Sequence, residues 1–126
     1  MLTVMNPARK TAYASVTPFI TKDGSQIREL MHPAQHGNHA QSFAEAIVEP
    51  GMKTLLHKHR VTEEIYHVTQ GAGAMTLGVQ QFAVGVGDTI CIAPGTAHCI
   101  ACVGEVAMKI LCACAPADAH EDTELL

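Results

Sequence analysis

Along most of the chain, apolar residues alternate with polar or small ones at a period of two, and glycine, proline or asparagine breaks the alternation at intervals of roughly eight to twelve residues. Short, half-buried strands read this way; helices do not. After residue 40 the predicted strands and their turns are "SFAEAIVEPG", "KTLLHKH", "EEIYHVTQGAGAMTLG", "QQFAVGVGD", "TICIAPG", "AHCIACVG" and "EVAMKILCACAP", a run of about seven strands. Within the third segment, Gly71 and Gly73 are expected to form a hairpin between two strands. Upstream, "KDGSQIRELMHPAQHGNHAQ" opens with Asp-Gly turn chemistry, supplies one short strand and ends in a loop rich in Pro, Gly, Asn and His. Helical turns are expected only near the ends, in "NPARKTAY" or "PADAHEDTELL".

This pattern predicts a single all-β domain closed as a sandwich or barrel. N-terminal strands and a loop occupy 1–40, the barrel core 41–116, and an exposed acidic tail 117–126. A chain of 126 residues buries roughly two-thirds of its unfolded surface, enough for one core. With 48% apolar residues but no tryptophan and only 4% aromatics, that core rests on Ala, Val, Ile, Leu and Met.

Eight basic residues against twelve acidic ones leave a net charge of -4, and the basic residues are scattered, which argues against a nucleic-acid partner. No stretch approaches the roughly 20 apolar residues of a membrane span, and "MLTVMNPARK" lacks the apolar centre of a secretory signal. A soluble, cytoplasmic protein with a small-molecule partner is the expectation. Cys91, Cys99, Cys102, Cys112 and Cys114 are odd in number and contain no C-x-x-C pair, so they read as small buried strand residues without a chemical role.

The candidate chemistry lies in "GMKTLLHKHRVTEEIYHVTQG", from Gly51 to Gly71. On a strand, residues i and i+2 share a face, so His57 and His59 aim together at one point and Lys58 away from it. After the turn at "RVT", either Glu63 or Glu64 faces inward, and periodicity does not choose because the turn breaks the register. His98, just after the turn "APGTA", is a further candidate. Three imidazoles and one carboxylate would leave coordination positions open on an octahedral ion, as a catalytic site requires. His32, His36, His39, His67 and His120 read as surface or hydrogen-bonded residues, with His36 and His39 placed by their loop near a site entrance. "GAGAMTLG" has Thr76 where a dinucleotide fingerprint needs its third glycine, and it reads as a turn.

These residues resemble the two motifs of a small single-domain cupin. The first, G(X)5HXH(X)3-4E(X)6G, is matched by Gly51, His57, His59, Glu64 and Gly71, and the spacing to Gly71 selects Glu64 over Glu63. The second, G(X)5PXG(X)2H(X)3N, is matched by Gly87, Gly95 and His98, with Ala93 in place of the proline and Cys102 in place of the asparagine. Neither departure falls on a metal-binding position. The resemblance implies a double-stranded β-helix, or jelly-roll, with His57, His59, Glu64 and His98 as ligands of one divalent transition metal ion per chain: Mn, Fe, Co, Ni, Cu or Zn. It also implies a homodimer to which the N-terminal strands contribute. Tyr66 shares the parity of Glu64 and is the candidate for a catalytic hydrogen-bond or proton donor, whereas Glu63 faces outward and Arg60 lies in the turn. By resemblance the function is that of a metal-dependent isomerase, decarboxylase or dioxygenase on a sugar, sugar acid or carboxylic acid. The alternative is a non-catalytic binding or sensing cupin with a structural metal.

Overall fold

The computed structural model describes residues 8–126 and resolves the alternating segments into two antiparallel sheets. The strands are β1 (Phe19–Ile20), β2 (Gln26–Met31), β3 (Ser42–Val48), β4 (His57–His59), β5 (Glu63–Gln70), β6 (Ala72–Leu77), β7 (Gln80–Gly85), β8 (Thr89–Ile92), β9 (His98–Val103), β10 (Met108–Ala115) and β11 (Thr123–Leu125). One sheet runs β1-β2-β3-β10-β5-β8 and the other β11-β4-β9-β6-β7. Non-consecutive strands lie side by side in both, which is the wound, double-sheet arrangement of the jelly roll.

Strand parity explains the core. Burial alternates along β5, turning Glu64, Tyr66 and Val68 inward, and along β10, turning Met108, Ile110, Cys112 and Cys114 inward. Tyr66, Val68, Met108, Ile110 and Cys112 meet Met75, Ile90, Ile92 and Ile100 in one apolar cluster. Full burial of each such aliphatic side chain is worth about 1.5–3 kcal/mol. The cysteines divide by the same parity: Cys102, Cys112 and Cys114 are buried, Cys99 is half-buried, Cys91 is exposed, and all five are free.

Three local expectations are corrected. Gly71 does turn the chain, at φ 78°, but it carries the chain from β5 in one sheet to β6 in the other, so it forms a corner and no hairpin. Gly73 lies inside β6, where a Cβ would sit 2.6 Å from the sulfur of Met108 and 2.8 Å from the carbonyl oxygen of Ala101. Glycine is there for close approach rather than for turning. The hairpin in this region joins β6 to β7, with Gly78 at φ 60°.

The loop after β2 contains a one-turn helix, α1 (Pro33–His36). Pro33 begins it, the His32 ring accepts the Ala34 N–H, and Gly37 closes it in the left-handed conformation at φ 78°. The helical turn expected in "NPARKTAY" falls partly outside the described residues; a 3-10 turn spans Tyr13–Ser15.

Residues 117–126 are not an exposed tail. A 3-10 turn at His120–Asp122 leads into β11, which pairs antiparallel with β4, setting Thr123 opposite His59 and Leu125 opposite His57. Asp122 and Thr123 are buried. Towards the other end of the chain, β2 pairs with β3, so β1 and β2 extend the sheet that carries Glu64 while β11 extends the sheet that carries His57, His59 and His98.

Candidate metal centre

β4 and β9 pair at a single position, His57 opposite His98, and His59 follows on the same face of β4. The three imidazoles, all buried, therefore converge, with a ligand nitrogen from each within 4.8 Å of the others. Ring centroids are 4.2 Å apart for His57 and His98, 5.2 Å for His57 and His59, and 5.4 Å for His59 and His98. Glu64, at the inward parity of β5, places Oε1 at 3.2 Å from His59 Nε2 and 3.8 Å from His98 Nε2. Glu63 is exposed, and Arg60 donates to the Glu121 carbonyl on the outside.

The hydrogen-bond network assigns the tautomers. His57 Nδ1 lies 2.7 Å from the Leu55 carbonyl and His98 Nδ1 2.8 Å from the Thr96 carbonyl, and a carbonyl only accepts, so both Nδ1 atoms carry the proton. The Thr123 hydroxyl lies 3.3 Å from the Ala119 carbonyl and 3.1 Å from His59 Nδ1, and donating to the carbonyl leaves it to accept from that Nδ1. Each Nε2 is left with a lone pair. These lone pairs face carboxylate oxygens: Glu64 Oε1 in front of His59 and His98, and Asp23 Oδ2 at 3.5 Å from His57 Nε2. Acceptors that face acceptors across a few ångströms call for a cation between them.

Two of these atoms, Glu64 Oε1 and His98 Nε2, are buried without a hydrogen-bond partner among the described residues. The residues therefore fit a divalent metal ion. Without one, protons fill the gap. Burial works against charge on His59, but the contact with Glu64 overrides it and raises the His59 pKa. Burial likewise pushes Glu64 upward, yet His59 and His98 outweigh it and hold the carboxyl at about 2. His57 is lowered, first by burial and then by repulsion from His98.

Cys114, two residues along β10 from Cys112, donates its thiol proton to Glu64 Oε2 at 3.3 Å. That bond turns Oε1 toward the histidines, as a group one shell out from a metal is expected to do. Burial raises the Cys114 pKa, so the thiol remains a donor. Cysteine composition alone did not reveal this contact.

The centre opens on a cavity of about 780 Å³ that Tyr66 also lines. The Tyr66 ring stands edge-on to His98 with centroids 6.2 Å apart, and burial raises its pKa well above 10, so the hydroxyl keeps its proton. His36 and His39 do not line the cavity; His32 and His120 do. His36 instead accepts the His32 N–H through Nδ1 and tightens α1. Asp23, Glu29 and Asp118 also reach the cavity. Asp23 sits in the Asp-Gly turn, whose chemistry explains its Oδ1, which accepts from Thr21 and Ser25, but gives no sign that Oδ2 faces His57.

Comparison with known proteins agrees with this architecture. An uncharacterized protein of Methanocaldococcus jannaschii is 55% identical over 117 residues, covering 93% of this chain and 94% of that protein. A predicted oxalate decarboxylase from Thermotoga maritima has a similar structure, with a TM-score of 0.73 at 24% identity, over 83% of this chain and 96% of that one. The polyketide cyclase RemF from Streptomyces resistomycificus superposes with a TM-score of 0.75 at 21% identity, over 86% of this chain and 80% of that one. Oxalate decarboxylase from Bacillus subtilis gives 0.79 at 22% identity, covering all of this chain but 33% of that one. At these identities the likenesses speak to the fold. The cupin domain model matches residues 44–114, a span that begins in β3 and ends in β10 and contains all three histidines of the centre, and on that match the chain belongs to the cupin family.

Proposed function

We propose that the chain is a cytoplasmic metal-dependent enzyme, with His57, His59, Glu64 and His98 as ligands of one divalent transition metal ion. Its substrate is a small, oxygen-rich metabolite, and its chemistry is of the isomerase, decarboxylase or dioxygenase type. The observation that carries this reading is the set of Nε2 lone pairs and the unpartnered Glu64 Oε1, converging at the wall of a cavity large enough for a metabolite. A site built only to brace the fold would be closed.

When bound, the metal supplies Lewis acidity to an oxygen donor of the substrate. The chain supplies the rest. The Leu55 and Thr96 carbonyls and the Thr123 hydroxyl fix the imidazole orientations, and the thiol of Cys114 fixes the carboxylate. The apolar wall of Ala46, Val48, Ile100 and Ile110 excludes water from the reacting end. Tyr66 holds a proton at its hydroxyl and is the candidate donor to a substrate oxygen. No helix of the described residues is long and apolar enough to cross a membrane.

The test is elemental analysis of protein purified without a chelating tag, paired with thermal unfolding in the presence of small carboxylic and sugar acids. One transition metal ion per chain, with a melting temperature raised by a chelating acid, is the expected result. A chain that carries no metal and takes none up ends the enzyme reading. Stabilisation by acids with no turnover of any of them favours the sensing role instead.

We also propose a homodimer. Among the described residues no strand pairs with the outer side of β1, where Phe19 and Ile20 are 46% and 64% exposed, an edge that a second copy would cover. Light scattering on the same sample should give twice the chain mass, and a monomer mass at micromolar concentration would rule the dimer out.

A further inference from the structure

Glu29 is not part of the metal centre. It lies on β2 at an inward position, is 6% exposed, lines the cavity, and keeps Oε1 buried with no hydrogen-bond partner among the described residues. The strand registers place it in one row with Ala44, Cys112 and Tyr66. Three strand spacings of about 4.8 Å separate its backbone from that of Tyr66, roughly 14 Å in all. Glu29 thus stands three strands along the sheet from β5, the strand that carries Glu64.

A buried carboxyl group with an idle oxygen is costly unless something satisfies it. Nothing in the fold requires Glu29 to be polar, because its row neighbours Ala44 and Cys112 belong to the apolar interior. The cavity around it is acidic as well. Asp23, Glu64, Asp118 and Glu121 line it with Glu29, whereas the one lysine there, Lys22, gives its ammonium to the His120 and Thr123 carbonyls. Among the described residues no arginine lines the cavity. Once Glu64 is matched by the metal and the histidines, the remaining surplus of carboxylates repels a second negative charge.

We propose that Glu29 binds the end of the substrate remote from the metal ligands and selects an uncharged hydroxyl there over a second carboxylate or a phosphate. The inference rests on the metal-centre reading and narrows its substrate class to polyhydroxylated monoacids or sugars. Burial, together with the nearby Asp118 and against the pull of His32, raises the Glu29 carboxyl to about 7, so near neutral pH it both donates to and accepts from a hydroxyl at little cost.

The probes are three six-carbon acids that share a 2-hydroxycarboxylate for the metal: gluconate, with hydroxyls beyond it; 2-hydroxyhexanoate, with an apolar chain; and glucarate, with a second carboxylate. Affinities are measured by calorimetry on metal-loaded protein, with metal content and far-UV circular dichroism recorded for every variant. The wild type should bind gluconate at least about tenfold more tightly than either of the others, the worth of one good hydrogen bond. Glu29→Leu, which keeps the volume and removes the polar atoms, should abolish the preference over 2-hydroxyhexanoate while metal content stays unchanged. Glu29→Gln, which keeps hydrogen bonding and removes the charge, should retain gluconate binding and narrow the margin over glucarate at least about threefold, which serves if the leucine variant misfolds.

Glucarate binding as tightly as gluconate, a gluconate preference that survives in Glu29→Leu, an unchanged margin in Glu29→Gln, or no gluconate binding by a metal-loaded chain would each overturn the proposal and leave the metal centre standing. A wild-type chain that takes up no metal overturns both.

Discussion

His98→Ala carries less than about a tenth of the metal bound by the wild-type chain while keeping the circular dichroism of a β protein. His98 has no exposed surface, its Nδ1 is fixed by the Thr96 carbonyl, and its Nε2 has no hydrogen-bond partner among the described residues. Alanine at this position removes one of three convergent imidazoles, and no neighbouring group replaces it. His57→Ala is expected to behave alike, since the two rings face each other across β4 and β9. The glutamates supply the control. Glu64→Gln should lose metal in part, because an amide oxygen is a poorer ligand than a carboxylate, whereas Glu63→Gln should keep its metal because Glu63 points to solvent. Elemental analysis of the four variants decides the matter. Full occupancy in His98→Ala defeats the four-ligand assignment, and metal loss confined to Glu63→Gln would mean that the parity of β5 has been misread.

Asp122→Ala lowers the unfolding free energy at neutral pH by about 2 kcal/mol, the cost of leaving one buried and one part-buried backbone donor with weaker partners. The Asp122 carboxylate accepts the Val61 N–H at 3.0 Å and the Thr62 N–H at 3.1 Å, and Thr62 is 1% exposed. These bonds pin the turn between β4 and β5 to the C-terminal segment, and with it β11, whose Thr123 orients His59. Burial pushes the Asp122 carboxyl up, but the N–H groups of Thr62 and Val61 outweigh it and hold the pKa below its usual 3.8. A depressed carboxyl stabilises the fold above the unfolded value and ceases to do so as pH falls through the folded one. The gap between wild type and variant should therefore be widest near neutrality and shrink below pH 3.8, as urea unfolding at several pH values will report. Equal stability at neutral pH would show that the C-terminal segment is not held by this contact.

Much of the barrel was legible in the chain because its signals are local. Alternation along "EEIYHVTQ" and "MKILCACA" states which side chains share a face, and both segments became strands with that parity. The turn residues were less informative. Gly71 and Gly73 look alike as letters, yet one satisfies a left-handed φ at a corner between sheets and the other makes room for Met108. The difference depends on a strand 35 residues further on, which no local pattern records. The acidic end misled for a similar reason. Composition makes "HEDTELL" look like solvated tail, but Asp122 finds two backbone donors at the β4–β5 turn and Thr123 finds His59.

Within the site the division is the same. The chain by itself determined that His57 and His59 share a face and that Tyr66 follows the parity of Glu64, because i, i+2 geometry is set by the pleat of a single strand. Tertiary structure alone decided that Asp23, Glu29 and Asp118 would line the same cavity as these residues, that Thr123 of β11 would meet His59, and that the thiol of Cys114 would meet Glu64. Pairing β2 with β3 and β11 with β4 brings together residues up to about a hundred positions apart. The energy that selects those registers is the burial of a whole face, which no single stretch of sequence contains.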